Sequence, residues 1–240
     1  MRDTLKDAVK AVPLLGPAAR TAVAGLRRLR FAGSPAYWEQ RYARGETSGA
    51  GSYGHLAEFK AEVLNGFVAR HSVRSVIEWG CGDGAQLALA RYPRYIGLDV
   101  SRTAVASCIA RFADDSTKSF FLYDPSCFAD RHGLFAADLA LSLDVVYHLV
   151  EDTVFERYMD MLFASGRRYV IVYSSDREER TRTPHVRHRK FTAWVDARRA
   201  DWRLAGHVPN RYPESAPVGS FADFYIFERA SGATESEVSG

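Results

Sequence analysis

Three carboxylates stand where apolar runs end, at spacings that can bring them to one edge of a sheet. Glu78 opens Glu78-Trp79-Gly80-Cys81-Gly82-Asp83-Gly84, Asp99 closes Ile96-Gly97-Leu98-Asp99, and Asp124 follows Tyr123. Glycines at 80, 82 and 84 let the backbone turn tightly and approach a ligand that side chains would block. A dinucleotide fingerprint needs G-x-G-x-x-G. Here the third glycine comes one residue early, so a pyrophosphate fits poorly. Glu78 would repel a phosphate and attract a cation. An acid placed like Asp99 takes ribose hydroxyls, and Asp124 is placed to meet an adenine amino group. The three together describe a site for a cationic nucleoside without phosphates.

Such a site needs strands that end side by side. Apolar runs at 73–79, 95–100, 119–123, 137–143 and 169–174 read as strands. Helical periodicity covers 55–71, 84–91, 103–112, 152–164 and 191–200, with a short helix expected after Pro125. Strands alternating with helices predict a parallel sheet covered on both faces. Two adjacent strands, 202–208 and 221–228, close the chain across a loop holding Pro209, Pro213 and Pro217. The expected fold class is α/β, a seven-stranded mostly parallel sheet with the last strand antiparallel. Ligands of such sheets bind beyond the carboxyl ends of the strands.

Glu78–Gly84 with Asp99 and Asp124 resembles the class I S-adenosylmethionine-dependent methyltransferases, over residues 35–229. The resemblance implies S-adenosylmethionine (SAM) as cofactor, lined by Gly80, Gly82, Gly84 and Leu143. Glu78 would lie near its methionine part, Asp99 at the ribose and Asp124 at the adenine end. The aromatic, glycine-rich segment 37–54 corresponds to a lid over the cofactor in similar enzymes. Arg41, Tyr42 and Lys60 are candidates to hold the cofactor carboxylate.

The residues after the fourth strand bear on the acceptor. An Asn/Asp-Pro-Pro-aromatic signature of many N-methyltransferases is missing from Asp144-Val145-Val146-Tyr147-His148. A hydroxyl is a weak nucleophile and gains from a general base or a metal. His148, with an ordinary pKa of about 6.5, is the expected base, and Asp144 would orient it or hold a metal. Asp144 and Asp176 match loosely the acids that hold Mg²⁺ in metal-dependent O-methyltransferases. The basic stretch 177–190, which includes His185 and His188, would overhang this edge and clamp a hydroxyl-rich or anionic substrate. Together with the lid these features resemble bacterial sugar and small-molecule O-methyltransferases, such as those acting on mycobacterial methylmannose polysaccharide. The expected acceptor is a hydroxyl of a saccharide or small molecule. The rival readings are an RNA or protein methyltransferase and a catalytically silent SAM-binding domain.

Charge narrows the field further. Residues 1–30 hold seven basic residues against two acidic, a net of +5, while residues 31–240 hold 25 basic against 27 acidic, a net of −2. A nearly neutral body argues against nucleic acid as partner, since a dedicated binder carries a basic domain. No run of about 18 apolar residues occurs, so no transmembrane segment is expected. Cys81, Cys108 and Cys127 show no zinc or disulfide spacing, and a cytoplasmic location is the default. The chain thus divides into a basic helical arm at 1–33, a methyltransferase domain at 34–229 and a flexible tail at 230–240. The arm would dock on an anionic membrane surface, fold over the substrate cleft or form a dimer contact.

Overall fold

The computed structural model describes residues 33–230. The expectations for the arm and the tail fall outside these, apart from their inner boundary residues. In chain order the main elements are α1 (Ser34–Ala43), α2 (Gly54–Arg70), β1 (Val76–Trp79), β2 (Tyr95–Asp99), α3 (Arg102–Arg111), β3 (Lys118–Leu122), β4 (Ala137–Leu143), α4 (Asp152–Ser165), β5 (Gly166–Ser174), β6 (Glu179–Arg180), β7 (Arg187–His188), α5 (Phe191–Arg198), β8 (Trp202–Val208) and β9 (Asp223–Arg229). Seven strands form one sheet in the order β3-β2-β1-β4-β5-β9-β8, and β6 and β7 form a separate hairpin. The β3-β2-β1-β4-β5 pairings are parallel, and β9 runs antiparallel between β5 and β8. This is the expected sheet, including its antiparallel last strand.

The sheet is covered on both sides. In β1 all four residues are buried, as a central strand between two helical layers requires. On one side Leu64, Phe67 and Val68 of α2 join Val76, Leu139, Leu141 and Tyr173 in one cluster. On the other, α4 presents Phe155, Tyr158, Met159, Leu162 and Phe163, the i, i+3, i+4, i+7, i+8 stripe of an amphipathic helix, to Ile77, Ala140, Val170 and Val172. No helix among the described residues is long and apolar enough to cross a membrane.

Two expected helices do not form. Over 84–91 only Leu87–Leu89 makes a single 3-10 turn. Gly84 enters it with φ +73 and Ala90 leaves it extended, so too few residues remain for an α-helix to nucleate. After Pro125 there is only a turn. Strand β1 begins at Val76 rather than residue 73, because its pairing with β2 and β4 begins there.

Candidate active site

Beyond the carboxyl ends of β1, β2 and β4 the chain encloses a cavity of about 860 Å³ including its mouth. The glycine loop forms its floor. The N–H groups of Gly80 and Cys81 both donate to the Leu98 carbonyl, at 2.7 and 3.1 Å, pinning the loop to β2. Gly80 has φ +86, and a Cβ there would stand 2.5 Å from Val145 Cγ2. Gly82 has φ +58, and a Cβ there would stand 2.5 Å from Ser48 Oγ. Both positions need glycine for conformation and for space.

Asp99 serves the loop as well as the cavity. Its Oδ2 accepts from the Gly82 N–H at 2.9 Å and its Oδ1 from the Ser101 N–H at 2.8 Å. Glu78 Oε2 accepts from the Tyr95 hydroxyl at 2.7 Å. Both carboxyls are buried and line the cavity. Burial pushes Glu78 up to about 7, against Tyr95 and Lys60, and Asp99 up to about 6, against its backbone donors.

These shifts carry a prediction with a definite sign. Between the ordinary carboxylate range and their raised values, the folded chain binds more protons than the unfolded one. The free chain therefore loses stability as pH rises from about 4 to about 7. A cationic ligand favours the ionised carboxylates, so its affinity rises across pH 6 to 7. Melting curves and calorimetry with SAM, the ligand that the sequence resemblance implies, over pH 5–8 check both slopes, and a flat affinity would mean that the carboxylates do not meet that ligand.

The roof is α1 with the segment leading to α2. The Ser34 hydroxyl is 2.7 Å from the His148 carbonyl and from Glu151 Oε2. Glu39 Oε2 accepts from the Ser101 hydroxyl at 2.7 Å and its Oε1 from the Thr103 hydroxyl at 2.8 Å. These bonds tie α1 across the strand ends. Trp38 and Tyr42 line the cavity from it, with Tyr42 Oη 2.9 Å from Ser48 Oγ. Arg41 is not among the lining residues; its Nε donates to the Thr47 carbonyl at 2.7 Å.

Most residues expected at the site line this cavity: Tyr42, Lys60, Glu78, Gly80, Gly82, Asp99, Leu143, Asp144 and His148. Gly84 and Asp124 do not. A Cβ on Gly84 would stand 2.9 Å from Phe112 and 3.0 Å from Cys108, so this glycine serves the packing of α3. Asp124 is exposed; its Oδ1 accepts from the Ser126 N–H and hydroxyl, at 2.8 and 2.6 Å, in a tight turn. Its neighbours Tyr123 and Pro125 form that wall instead.

Lys60, buried from α2, places its Nζ 2.6 Å from Asp144 Oδ2. The Tyr147 hydroxyl donates to Asp144 Oδ1 at 2.9 Å. Asp144 itself has φ +60, a conformation that aspartate tolerates better than most residues. It therefore does not orient His148. That ring is aimed by the His185 carbonyl, which accepts from Nδ1–H at 2.8 Å, and it packs edge-on against Trp38 at 4.8 Å. With the proton on Nδ1, the other nitrogen is an acceptor. Among the described residues no protein group bonds Nε2. Burial lowers the His148 pKa to about 4, so the ring is neutral at pH 7.

A Mg²⁺ site does not fit these residues. Asp144 is matched by Lys60. Asp176 accepts from the Thr192 N–H and hydroxyl, at 3.1 and 2.8 Å, and pairs with Lys190 at 2.5 Å. It anchors the start of α5 and does not line the cavity. No cluster of three or more His, Cys, Asp or Glu suited to a metal occurs among the described residues.

The basic strap is also largely spoken for. Arg177 pairs with Glu179 and Glu214, Arg187 with Glu178 and Asp152, and Arg189 with Asp152. His188 Nδ1 lies 2.6 Å from Ser175 Oγ, and His185 stacks on Tyr37 at 4.2 Å. Most of the strap's charge thus holds the strap to the body rather than facing a substrate.

Comparison with known proteins places this geometry. No protein-family model matches the sequence, and no curated protein sequence matches it. Solved structures do. The methyltransferase domain of bacterial CtHen1-C superposes with a TM-score of 0.59 at 18% identity, over 74% of this chain and all of that one. The N-methyltransferase NodS of Bradyrhizobium japonicum WM9, in complex with S-adenosyl-L-homocysteine (SAH), gives 0.56 at 18% identity over 72% and 87%. Magnesium protoporphyrin IX methyltransferase of Synechocystis PCC 6803, with bound SAH, gives 0.56 at 14% over 80% and 94%. At these identities the likeness assigns the fold, that of the class I methyltransferases.

Proposed function

We propose that the chain is a SAM-dependent methyltransferase whose acceptor is a hydroxyl of a small molecule or saccharide. One observation carries the reading: a left-handed glycine loop, the buried carboxyls of Glu78 and Asp99, and a neutral histidine all line one cavity. The cofactor supplies a methyl group already activated on a sulfonium, so the protein's task is alignment and proton removal. Glu78 and Asp99 complement a cation and a ribose, and the glycine loop leaves backbone space beside them. Of the residues expected to hold the cofactor, Tyr42, Lys60 and Leu143 support the reading as wall residues. Gly84 and Asp124 enter it only through the loop and turn they shape.

His148 Nε2 takes the proton of the acceptor hydroxyl, while Nδ1–H stays on the His185 carbonyl. The solved neighbours include RNA methyltransferases by their names, but the paired arginines of the strap disfavour a phosphate-rich acceptor here.

The test uses methyl-labelled SAM with saccharides, small hydroxyl compounds and a small RNA, each with and without chelator. Label is expected in a hydroxyl compound, undiminished by chelator. Label confined to RNA overturns the acceptor class, and no binding of SAM overturns the whole reading.

A further inference from the structure

Asp83 sits between the second and third glycines of the loop and is not used by the chemistry above. Its Oδ2 accepts from the Ser48 N–H at 2.9 Å and from the Tyr53 hydroxyl at 2.8 Å. Its own N–H donates to Ser48 Oγ at 3.2 Å. Oδ1 accepts from the Ala85 N–H at 3.0 Å, which fixes the direction of the carboxylate. Segment 44–53 is thereby seated directly on the glycine loop, with Ser48 Oγ in the space a Gly82 Cβ would need. Ser48 and Ser52 line the cavity from above.

Little packing holds the same segment in place. Gly45, Gly49 and Gly54 all have positive φ, between +56 and +98. A Cβ at Gly45 or Gly54 would touch nothing within 4 Å. None of residues 44–53 is buried. A roof held by a few polar bonds and flanked by glycine hinges opens at low cost.

We propose that Asp83 is a positioning residue whose bonds to Ser48 and Tyr53 latch segment 44–53 over the glycine loop. Release of this latch sets the rate at which the cofactor enters and its spent form leaves. The inference rests on the cofactor reading above. Asp83 lines the cavity too, but its carboxylate is engaged by Ser48, Tyr53 and Ala85, so it acts through the segment.

Stopped-flow fluorescence with SAH on the full chain tests this. Asp83→Asn keeps the side chain's size but weakens acceptance from Ser48 and Tyr53; SAH dissociation is expected to rise about tenfold. Tyr53→Phe removes one latch bond and changes no residue of the glycine loop; about a threefold rise is expected, even if Asp83→Asn fails to fold. Association should quicken alongside dissociation, so the rates move more than the affinity, which a purely structural role would not produce. Wild-type exchange rates in Tyr53→Phe and in a folded Asp83→Asn overturn the latch. A wild-type chain that binds no SAH overturns the cofactor reading itself, and the latch with it.

Discussion

Asp99→Ala is expected to lower the affinity for SAM and SAH by at least about 100-fold, which is ~2.8 kcal/mol. Two losses combine. On the proposed reading the ribose loses its carboxylate partner, and the Gly82 and Ser101 N–H groups lose acceptors at 2.9 and 2.8 Å. A buried donor left unpaired costs about 1–3 kcal/mol, so the loop would drift from the position that keeps its backbone against the ligand. Asp99→Asn separates the two contributions. It retains one acceptor oxygen, so it should keep one backbone bond and lose roughly tenfold. Calorimetry gives the affinities and thermal melting shows whether the fold persists. An alanine variant with wild-type affinity and a wild-type melting curve would mean that Asp99 neither braces the loop nor meets the cofactor.

The placement of Asp99, bracing the loop and lining the cavity, shows what could be read from residue order. Glu78, Gly80, Gly82 and Asp99 were legible as cavity residues because they lie at or just past a strand end, and a parallel sheet aligns strand ends; Gly84, farther along, serves α3 instead. Asp124 shares that placement yet is spent on its own turn. The signal was present in Asp124-Pro125-Ser126, since aspartate readily bonds its backbone two residues on. The segment 84–91 had helical spacing, but the left-handed Gly84 spent its first residue on turning the chain. Lys60 and Asp144 stand 84 residues apart in the chain. Nothing local tells a lysine on a helix that its partner is an aspartate beyond the fourth strand. The strap is the same case: its arginines were visible as charge, but their partners Asp152 and Glu214 come from separate parts of the chain.

His148 makes the sharper claim, because it separates a hydroxyl acceptor from one that needs no base. His148→Ala should lower kcat on a hydroxyl acceptor by about 10², the low end of what general-base catalysis supplies, because a ring lowered to about 4 accepts a proton less readily than one poised near 7, while SAM affinity changes less than about threefold. Alanine also deletes packing against Trp38 and Tyr147, so a fall alone would be ambiguous. His148→Gln resolves this. Its amide can still donate to the His185 carbonyl and fill the space, but it has no basic nitrogen, so the same loss is expected with the fold intact. The pH profile gives an independent check. Burial lowers the His148 pKa to about 4, so the neutral, proton-accepting ring persists down to that value. The acid limb of kcat/KM in the wild type should therefore fall near pH 4, not near the ordinary 6.5 of histidine, except where the Glu78 and Asp99 carboxyls first weaken cofactor binding. Saturating SAM separates these effects: the limb due to cofactor binding moves with SAM concentration and the His148 limb does not. A glutamine variant that methylates a hydroxyl at the wild-type rate would leave His148 a wall residue and return the choice to an acceptor that arrives already neutral and nucleophilic, such as an amine.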